Sequence, residues 1–375
     1  MVGREIFEVL YSPVSAFRKI IEKPDFKGVL LILLIVISST VVLQLVYNTK
    51  QHYETRAPTN DNWTEALTNK HIWTSNGSLS LDTTDYQMAN VSISSSVLDA
   101  TTIWLKLTDI EPINCSDATG YNELFFWINW TNQDGLPARS GTIKLFSGRE
   151  DSYFETNLDS LLGSSGEWIN TTLSVGSTHD WSSTNSPDWQ NITGIELMLE
   201  WSDPSNLTMK IDGLFFRNFV SPIESVGLEE AILYIFLSVT FSVGMNWILW
   251  AGILIIVSKL FGEELGQWNT FFVIIGHALI VTAVYTLVSA LIFTSLPILN
   301  MPIESDLQIV AFSEIWLPTI VYQAGTLILW AGEVWIAALA AVVIRLMKNV
   351  TWGKAATIAL VAFGLRFVLR FFFGA

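Results

Sequence analysis

A single cysteine, Cys115, stands in 375 residues, so no intrachain disulfide can form. Histidine is almost as scarce. His52, His71, His179 and His277 are scattered singly, without the spacing of a metal or triad constellation. No HExxH, Walker loop or GxSxG occurs, so no recognisable catalytic constellation is present and a non-enzymatic role is expected. Basic residues are outnumbered, 20 Lys and Arg against 35 Asp and Glu, for a net charge of −15. An acidic surface repels nucleic acid and anionic headgroups, which excludes both as partners of the acidic part of the chain. Charge of either sign is missing from 28–47 and sparse across 229–375.

Those charge-poor stretches carry the apolar residues. Half of the chain is hydrophobic and its mean hydropathy is +0.42, but the two kinds of sequence are segregated. Residues 28–47 and 229–375 are built from Leu, Ile, Val, Ala, Phe and Trp, whereas 48–222 is rich in Ser, Thr, Asn and Asp. A run of about 20 apolar residues crosses ~30 Å of hydrocarbon as a helix. The run 28–47 meets that length, begins late for a signal peptide and lacks a small-x-small cleavage site, so it reads as a retained anchor. Further spans are expected at 229–260, 268–296, 316–347 and 355–373.

Basic residues set the direction. Arg4, Arg18, Lys19, Lys23 and Lys27 precede the first span, and Arg345, Lys348 and Lys354 lie between the last two, whereas 297–313 has neither Lys nor Arg. The expectation is a multi-pass protein of the cell membrane with the N-terminus cytoplasmic and both 48–222 and the C-terminus extracytoplasmic. Ahead of the first span, Ile6, Phe7, Val9, Leu10, Phe17, Ile20 and Ile21 recur at helical spacing among charges, with Pro13 dividing them. Residues 1–27 therefore read as an amphipathic segment in the plane of the cytoplasmic leaflet, the alternative being a tail packed on the bundle. The organisation expected is 1–27, a first span at 28–47, an inserted domain at 48–222 and the remaining spans in 223–375.

The inserted domain has β patterning. Short aromatic or alternating runs at 101–107, 123–130, 194–201 and 207–216 are separated by Gly, Asn, Asp, Ser and Pro, the signature of a sandwich or barrel. Sequons at Asn62, Asn76, Asn90, Asn114, Asn129, Asn170, Asn191 and Asn206 all fall inside it, and N-glycosylation is expected there. Asn349 also heads a sequon but lies in a loop expected to be cytoplasmic.

The order of the runs at 121–129, 167–173 and 195–215 resembles jelly-roll domains of the carbohydrate-binding-module and galactose-binding type. The fold class expected is thus an α-helical membrane bundle of about five transmembrane helices with an inserted all-β, jelly-roll-like sandwich. The resemblance places Asp212 where many such domains hold a structural calcium, with Asp82 or Asp85 contributing oxygens; the plainer reading is that Asp212 turns the chain before Gly213. No other cofactor is expected. Trp181 and Trp189, in a polar loop, are candidates to stack on a sugar face, against the plainer reading of core packing.

Counting inward from the cytoplasmic boundaries gives a polar layer. Glu333 lies twelve residues from Arg345, Arg366 twelve from Lys354, His277 thirteen from Glu264 and Asn246 thirteen from Lys259. At ~1.5 Å per residue all sit at one depth near the midplane, with Ser38, Ser39 and Thr40 at a similar level. A lone charge there costs at least ~2.5–3.5 kcal/mol, so a Glu333–Arg366 pair is expected, either as a register lock or as part of a proton pathway. Arg370 shares the Arg366 face nearer the outer headgroups, where snorkelling accounts for it.

The membrane portion resembles the Yip family of five-span membrane proteins in its prokaryotic form. The matching stretches are 12–24 (SPVSAFRKIIEKP), 260–271 (LFGEELGQWNTF) and 352–360 (WGKAATIAL), in the family's order. The resemblance implies an anchor or scaffold without catalytic residues, and the domain inserted after the first span departs from it. An acidic, sequon-rich domain on such a bundle suggests an archaeal envelope. The function expected is a membrane scaffold whose β-sandwich binds a glycan or an envelope partner. Two alternatives are a proton-coupled permease using Glu333, His277 and Arg366, and an accessory subunit of a larger membrane complex.

Overall fold

A computed structural model of the chain describes residues 2–65, 72–116 and 120–373, with side chains at 7–65, 73–116 and 120–369. His71 and the Arg370 side chain lie outside the described residues. The chain forms two compact units, residues 1–53 with 220–375, and residues 54–219.

The first unit is helical. It opens with α1 (Val2–Tyr11) and α2 (Pro13–Glu22), divided where Pro13 lacks the N–H needed to prolong α1 and instead starts α2. Val9, Ala16, Phe17 and Ile20 are buried in the same apolar cluster as the long helices, and Lys19 closes on Glu8 at 2.7 Å. This pair of helices is therefore docked on the bundle through one face, with Phe7 and Tyr11 left exposed. Among the described side chains of 1–27, the apolar spacing thus faces neighbouring helices as well as the surroundings.

Next come α3 (Phe26–Lys50), α4 (Pro222–Val226), α5 (Leu228–Leu260), α6 (Trp268–Ala278), α7 (Ile280–Phe293), α8 (Ser305–Ile315), α9 (Ile320–Lys348) and α10 (Trp352–Phe373). Among the described residues, five spans are long and apolar enough to cross a membrane: α3, α5, α6 with α7, α9 and α10. Two of the expected spans meet a break in the helical ladder. The span expected from residue 316 starts at Ile320, because Pro318 interrupts the ladder between α8 and α9. The span expected at 268–296 is broken at Leu279.

That break shapes the bundle. Helix α3 packs on α5 and α7, α7 on α9, α9 on α10, and α10 on α5, so five helices close a ring. Helix α6 leaves the ring's wall and packs against α3, α5 and α9, burying Phe271, Ile274, Ile275 and Ala278 completely. Gly276 permits the approach, since a Cβ there would press on the Val29 side chain and the Trp247 indole. The α7–α9 seam is equally close. Ser289 Oγ donates to the Gly325 carbonyl at 2.9 Å, and a Cβ on Gly332 would lie 2.9 Å from Tyr285.

The second unit is an all-β sandwich. Its strands are β1 (Gln51–Ala57), β2 (Ile72–Ser75), β3 (Ser78–Asp82), β4 (Ser92–Thr108), β5 (Glu123–Asn132), β6 (Ser140–Ser147), β7 (Arg149–Asn157), β8 (Ile169–Ser174), β9 (Ser182–Thr184) and β10 (Ile192–Val220). The long strands β4 and β10 pair antiparallel and run through both layers. One layer has the order β2-β4-β10-β6-β7-β9, using the 102–107 end of β4 and the 192–200 end of β10. The other has the order β3-β4-β10-β5-β8, using the opposite ends. The turn from one layer to the next falls at the register shift between Glu200 and Ser205, beside the left-handed Asp99. Alternate residues point inward, among them Ile103, Leu105, Leu124, Phe126, Leu197 and Ile211, and form one core. Cys115 is buried in that core, which pushes its thiol pKa up and leaves it inert.

Candidate functional site

The outward face of the β3-β4-β10-β5-β8 layer is polar in register. Ser80, Ser94, Lys210 and Asn129 form one row across it. Ser78, Ser96, Thr208 and Thr131 form the next. The loop after β3 and the turn before β8 rise on either side of these rows. They meet where the Trp168 indole N–H donates to Asp85 Oδ1 at 2.6 Å. The result is a groove of about 320 Å³ lined by Asp85, Asn129, Thr131, Gly166, Thr208 and Lys210.

The charges in this groove are organised around one ammonium. Lys210 Nζ lies 2.8 Å from Asp82 and 2.6 Å from Asp85. Hydrogen bonds from Lys210 and Thr84 hold the Asp82 carboxyl well below the usual carboxylate range. Asp85 is lowered as well, by the hydrogen bond from Lys210 first and that from Trp168 after the opposing effect of burial. Both acids are therefore ionised acceptors at neutral pH. Amide, hydroxyl, ammonium and carboxylate groups thus line one concave surface, beside the half-buried Trp168.

These contacts decide the calcium expectation. Asp82 and Asp85 are matched by the Lys210 ammonium, and they do not join Asp212 as a ligand set. Asp212 is fully buried, with Oδ2 accepting from the Gln87 and Met88 amides at 2.5 and 2.7 Å and Oδ1 from the Gly213 amide at 2.8 Å. Among the described residues no group of three or more His, Cys, Asp or Glu is placed to hold a metal. The residues do not fit the expected calcium, because N–H donors and an ammonium stand where a cation would need free oxygens. A different acid approaches Asp212. Asp61 hydrogen-bonds Thr64, which also lies near Asp212, and the second Asp61 oxygen is buried with no hydrogen-bond partner. Burial, then the charges of Asp212 and Glu65, push Asp61 up to about 7, and burial raises Asp212 in the same direction.

Trp181 and Trp189 are brought together edge to face at 5.7 Å, but not as an open platform. One face of Trp189 is stacked on Phe154 at 3.7 Å, and the Trp181 indole donates to the Ser174 carbonyl at 2.9 Å. Both rings pack on the sandwich core, as the plainer reading had it. The sequons also separate. Asn62, Asn76, Asn90, Asn170 and Asn206 are exposed, while Asn114 and Asn191 are half-buried. Asn129 is a correction: only 5% exposed on the groove floor, it donates toward the Gly166 carbonyl and offers no room for a glycan of its own.

In the bundle, Arg366, Glu333 and Asn246 meet. Arg366 Nη1 donates to Glu333 Oε2 at 2.6 Å. Its Nε and Nη2 donate to Asn246 Oδ1 at 3.1 and 2.9 Å. The guanidinium also lies over the Trp250 ring at 5.2 Å. His277 belongs instead to the buried end of α6, with Nδ1 2.8 Å from the Val273 carbonyl oxygen of its own helix. Ser39 and Thr40 donate to the Val36 carbonyl of theirs. Beside α6 the ring helices line a partly open cavity of about 650 Å³, on whose wall Asn246, Glu333 and Arg366 lie and His277 does not.

The sheet groove was not among the sites expected. Its signal is visible in the chain as polar residues at every second position: Ser92, Ser94 and Ser96; Asn129 and Thr131; Thr208, Lys210 and Asp212.

No protein-family model matches the sequence, and no curated protein does. Among solved structures, an exo-beta-agarase is similar at 13% identity and a TM-score of 0.33, over 44% of this chain and 25% of that one. The chain therefore spans about a quarter of the agarase's length. The family 30 carbohydrate-binding module of a cellulosomal cellulase of Clostridium thermocellum is similar at 12% identity and a TM-score of 0.30, over 44% of this chain and 90% of the module. A family 29 carbohydrate-binding module is similar at 13% identity and a TM-score of 0.28, over 46% of this chain and 99% of the module.

Proposed function

We propose that this chain is a non-enzymatic membrane protein whose sandwich binds a glycan in the groove of its polar sheet face. The observation that carries this reading is the groove itself. Sugars are recognised by planar acceptors and donors that each engage hydroxyls, with an aromatic ring beside the apolar C–H face. Asp85, Asn129, Thr131, Thr208 and Lys210 supply the polar groups, and the neighbouring ring is that of Trp168, hydrogen-bonded to Asp85. The groove's carboxylates are tied to Lys210, which suits binding and leaves no pair of acids flanking a bond to be cleaved.

In this reading the bundle is an anchor and scaffold of Yip type, supported by the order of the three matching stretches and by five spans. The basic residues before the first span and between the last two support an N-terminus in the cytoplasm, with the sandwich and the C-terminus outside. An envelope protein bearing the glycan, or a larger membrane complex, is the partner. A proton-coupled permease is less well supported, because α6 fills one end of the ring below the Glu333–Arg366 pair.

The test is glycan-array binding by the full chain in phosphatidylcholine nanodiscs, followed by titration of Lys210→Met and Thr131→Val. Binding of one glycan class, weakened about tenfold or more by either change, is expected. Absence of binding across the array, or unchanged binding by Lys210→Met, would refute the reading.

A further inference from the structure

The bundle carries a second site, independent of the sheet groove. Each of three ring helices places a polar pair one turn apart on the cavity: Thr40 and Gln44 on α3, Ser242 and Asn246 on α5, Thr282 and Thr286 on α7. Helices α9 and α10 add Glu333 and Arg366. In spans that are predominantly apolar, polar residues on every wall of one cavity are not explained by helix formation alone.

The cavity has a closed end and a seam. Val36, Leu279, Ile336 and Phe363 form its apolar floor, above the buried α6. On one side it reaches Trp330 of α9 and Phe367 of α10, whose rings touch at 5.4 Å. Trp330 is 44% exposed and Phe367 49% exposed, so both cavity-lining residues also reach the outer surface of the ring, as the exposed Gln44 of α3 and Ser242 of α5 do on the other side. That surface faces hydrocarbon in a membrane, and the seam between α9 and α10 is where a lipid chain would leave the cavity.

Charge selects the headgroup. The Glu333 carboxylate is offset by Arg366, so the cavity wall is neutral overall and already satisfied as an ion pair. A charged headgroup would bring an uncompensated charge to membrane depth, which is costly. Within the pair, Glu333 is the more open member, 23% exposed at its side chain against 8% for Arg366, so the cavity presents a carboxylate and several hydroxyls. Hydroxyl donors match that surface, and the Trp247 and Trp330 rings match the apolar face of a sugar. The volume of about 650 Å³ is in the range of a small-ligand pocket.

We infer that the ring cavity binds the uncharged, hydroxyl-bearing headgroup of a membrane lipid, a glycolipid in chemical class, with its chains leaving between Trp330 and Phe367. The test uses the full chain carrying Lys210→Met, which removes the sheet groove's ammonium and leaves the cavity intact. It is purified from bilayers of phosphatidylcholine doped with monoglucosyl diacylglycerol or with phosphatidylglycerol, and retained lipid is read by native mass spectrometry. Retention of the glucosyl lipid over phosphatidylglycerol, reduced about tenfold by Thr326→Phe or Thr282→Phe, which add bulk at the cavity lining, is expected. Leu360→Phe, on the exposed surface of α10, is expected to change nothing. Equal retention of the anionic lipid, no retention, or retention unaffected by both filling variants overturns the inference. Displacement by methyl glucoside at matched concentration overturns the lipid part, because it assigns the cavity to a soluble sugar.

Discussion

Arg366 in the bundle and Lys210 in the sandwich are each held by two neighbouring acceptor residues. Arg366 is bound by Glu333 and Asn246, and Lys210 by Asp82 and Asp85. The distances are alike, 2.6 Å for the shortest contact in each cluster. What differs is the alternative available to each charge. A carboxylate released from Lys210 turns to water, since Asp85 is already 40% exposed at its side chain. A carboxylate released from Arg366 has a membrane cavity to turn to. The same hydrogen bonds are therefore a minor term in one unit and a structural necessity in the other.

The sharpest way to break that comparison is to remove one partner in the bundle. Glu333→Gln and Arg366→Gln are each expected to destabilise the chain in detergent by about 3–5 kcal/mol, because each strands the opposite charge. The double change is expected to recover much of the loss, as both charges leave together. Thermal unfolding of the three variants checks it. Single variants as stable as the parent would mean that water reaches the pair and that the contrast with Lys210 does not exist.

How far this contrast could be read ahead of the structure depends on regularity. The level shared by Glu333, Arg366 and Asn246 could be counted from the basic boundary residues, because a helix rises by a fixed amount per residue. The break at Leu279 could not, since Gly276 and His277 sit in an unbroken apolar run with no period to lose. The strands of the sandwich were visible as alternating runs. Its groove depends on register, which no single run carries and which brings Asn129, Lys210 and Ser94 into one row from three separate strands. Asp212 illustrates the same limit. An acid before a glycine suits a metal, a turn or a buried amide clamp, and only the Gln87 and Met88 amides decide among them.

A second experiment sharpens the comparison inside the sandwich, by setting its buried acids against its exposed ones. Folding raises Asp61 from the usual 3.8 to about 7. The folded state therefore keeps a proton that the unfolded chain has released, and stability falls as pH rises from about 4 to about 7. The loss is on the order of 4 kcal/mol at most. Asp82 works the other way. Its carboxyl is lowered on folding, so the stability it contributes is lost only as pH falls below the usual carboxylate range. Denaturant unfolding of the sandwich at pH 4 and pH 7 is expected to show the decline in the parent and a flatter profile in Asp61→Asn. Equal slopes in the two proteins would mean that Asp61 is ionised in the folded state.

The smallest effect is expected from Lys210→Met, and its smallness is informative. Lys210 is partly exposed and its acids are more so, which puts the cluster among ion pairs worth about 0–1 kcal/mol. Its methylene stem lies among Ser94, Asn129 and Thr208, contacts that a methionine of similar length retains in large part. Loss of the ammonium leaves Asp82 and Asp85 facing each other, yet both can turn to solvent. Unfolding of the sandwich in Lys210→Met is thus expected within about 1 kcal/mol of the parent. A cost of several kcal/mol would show that the groove cluster is as isolated from water as the Glu333–Arg366 pair.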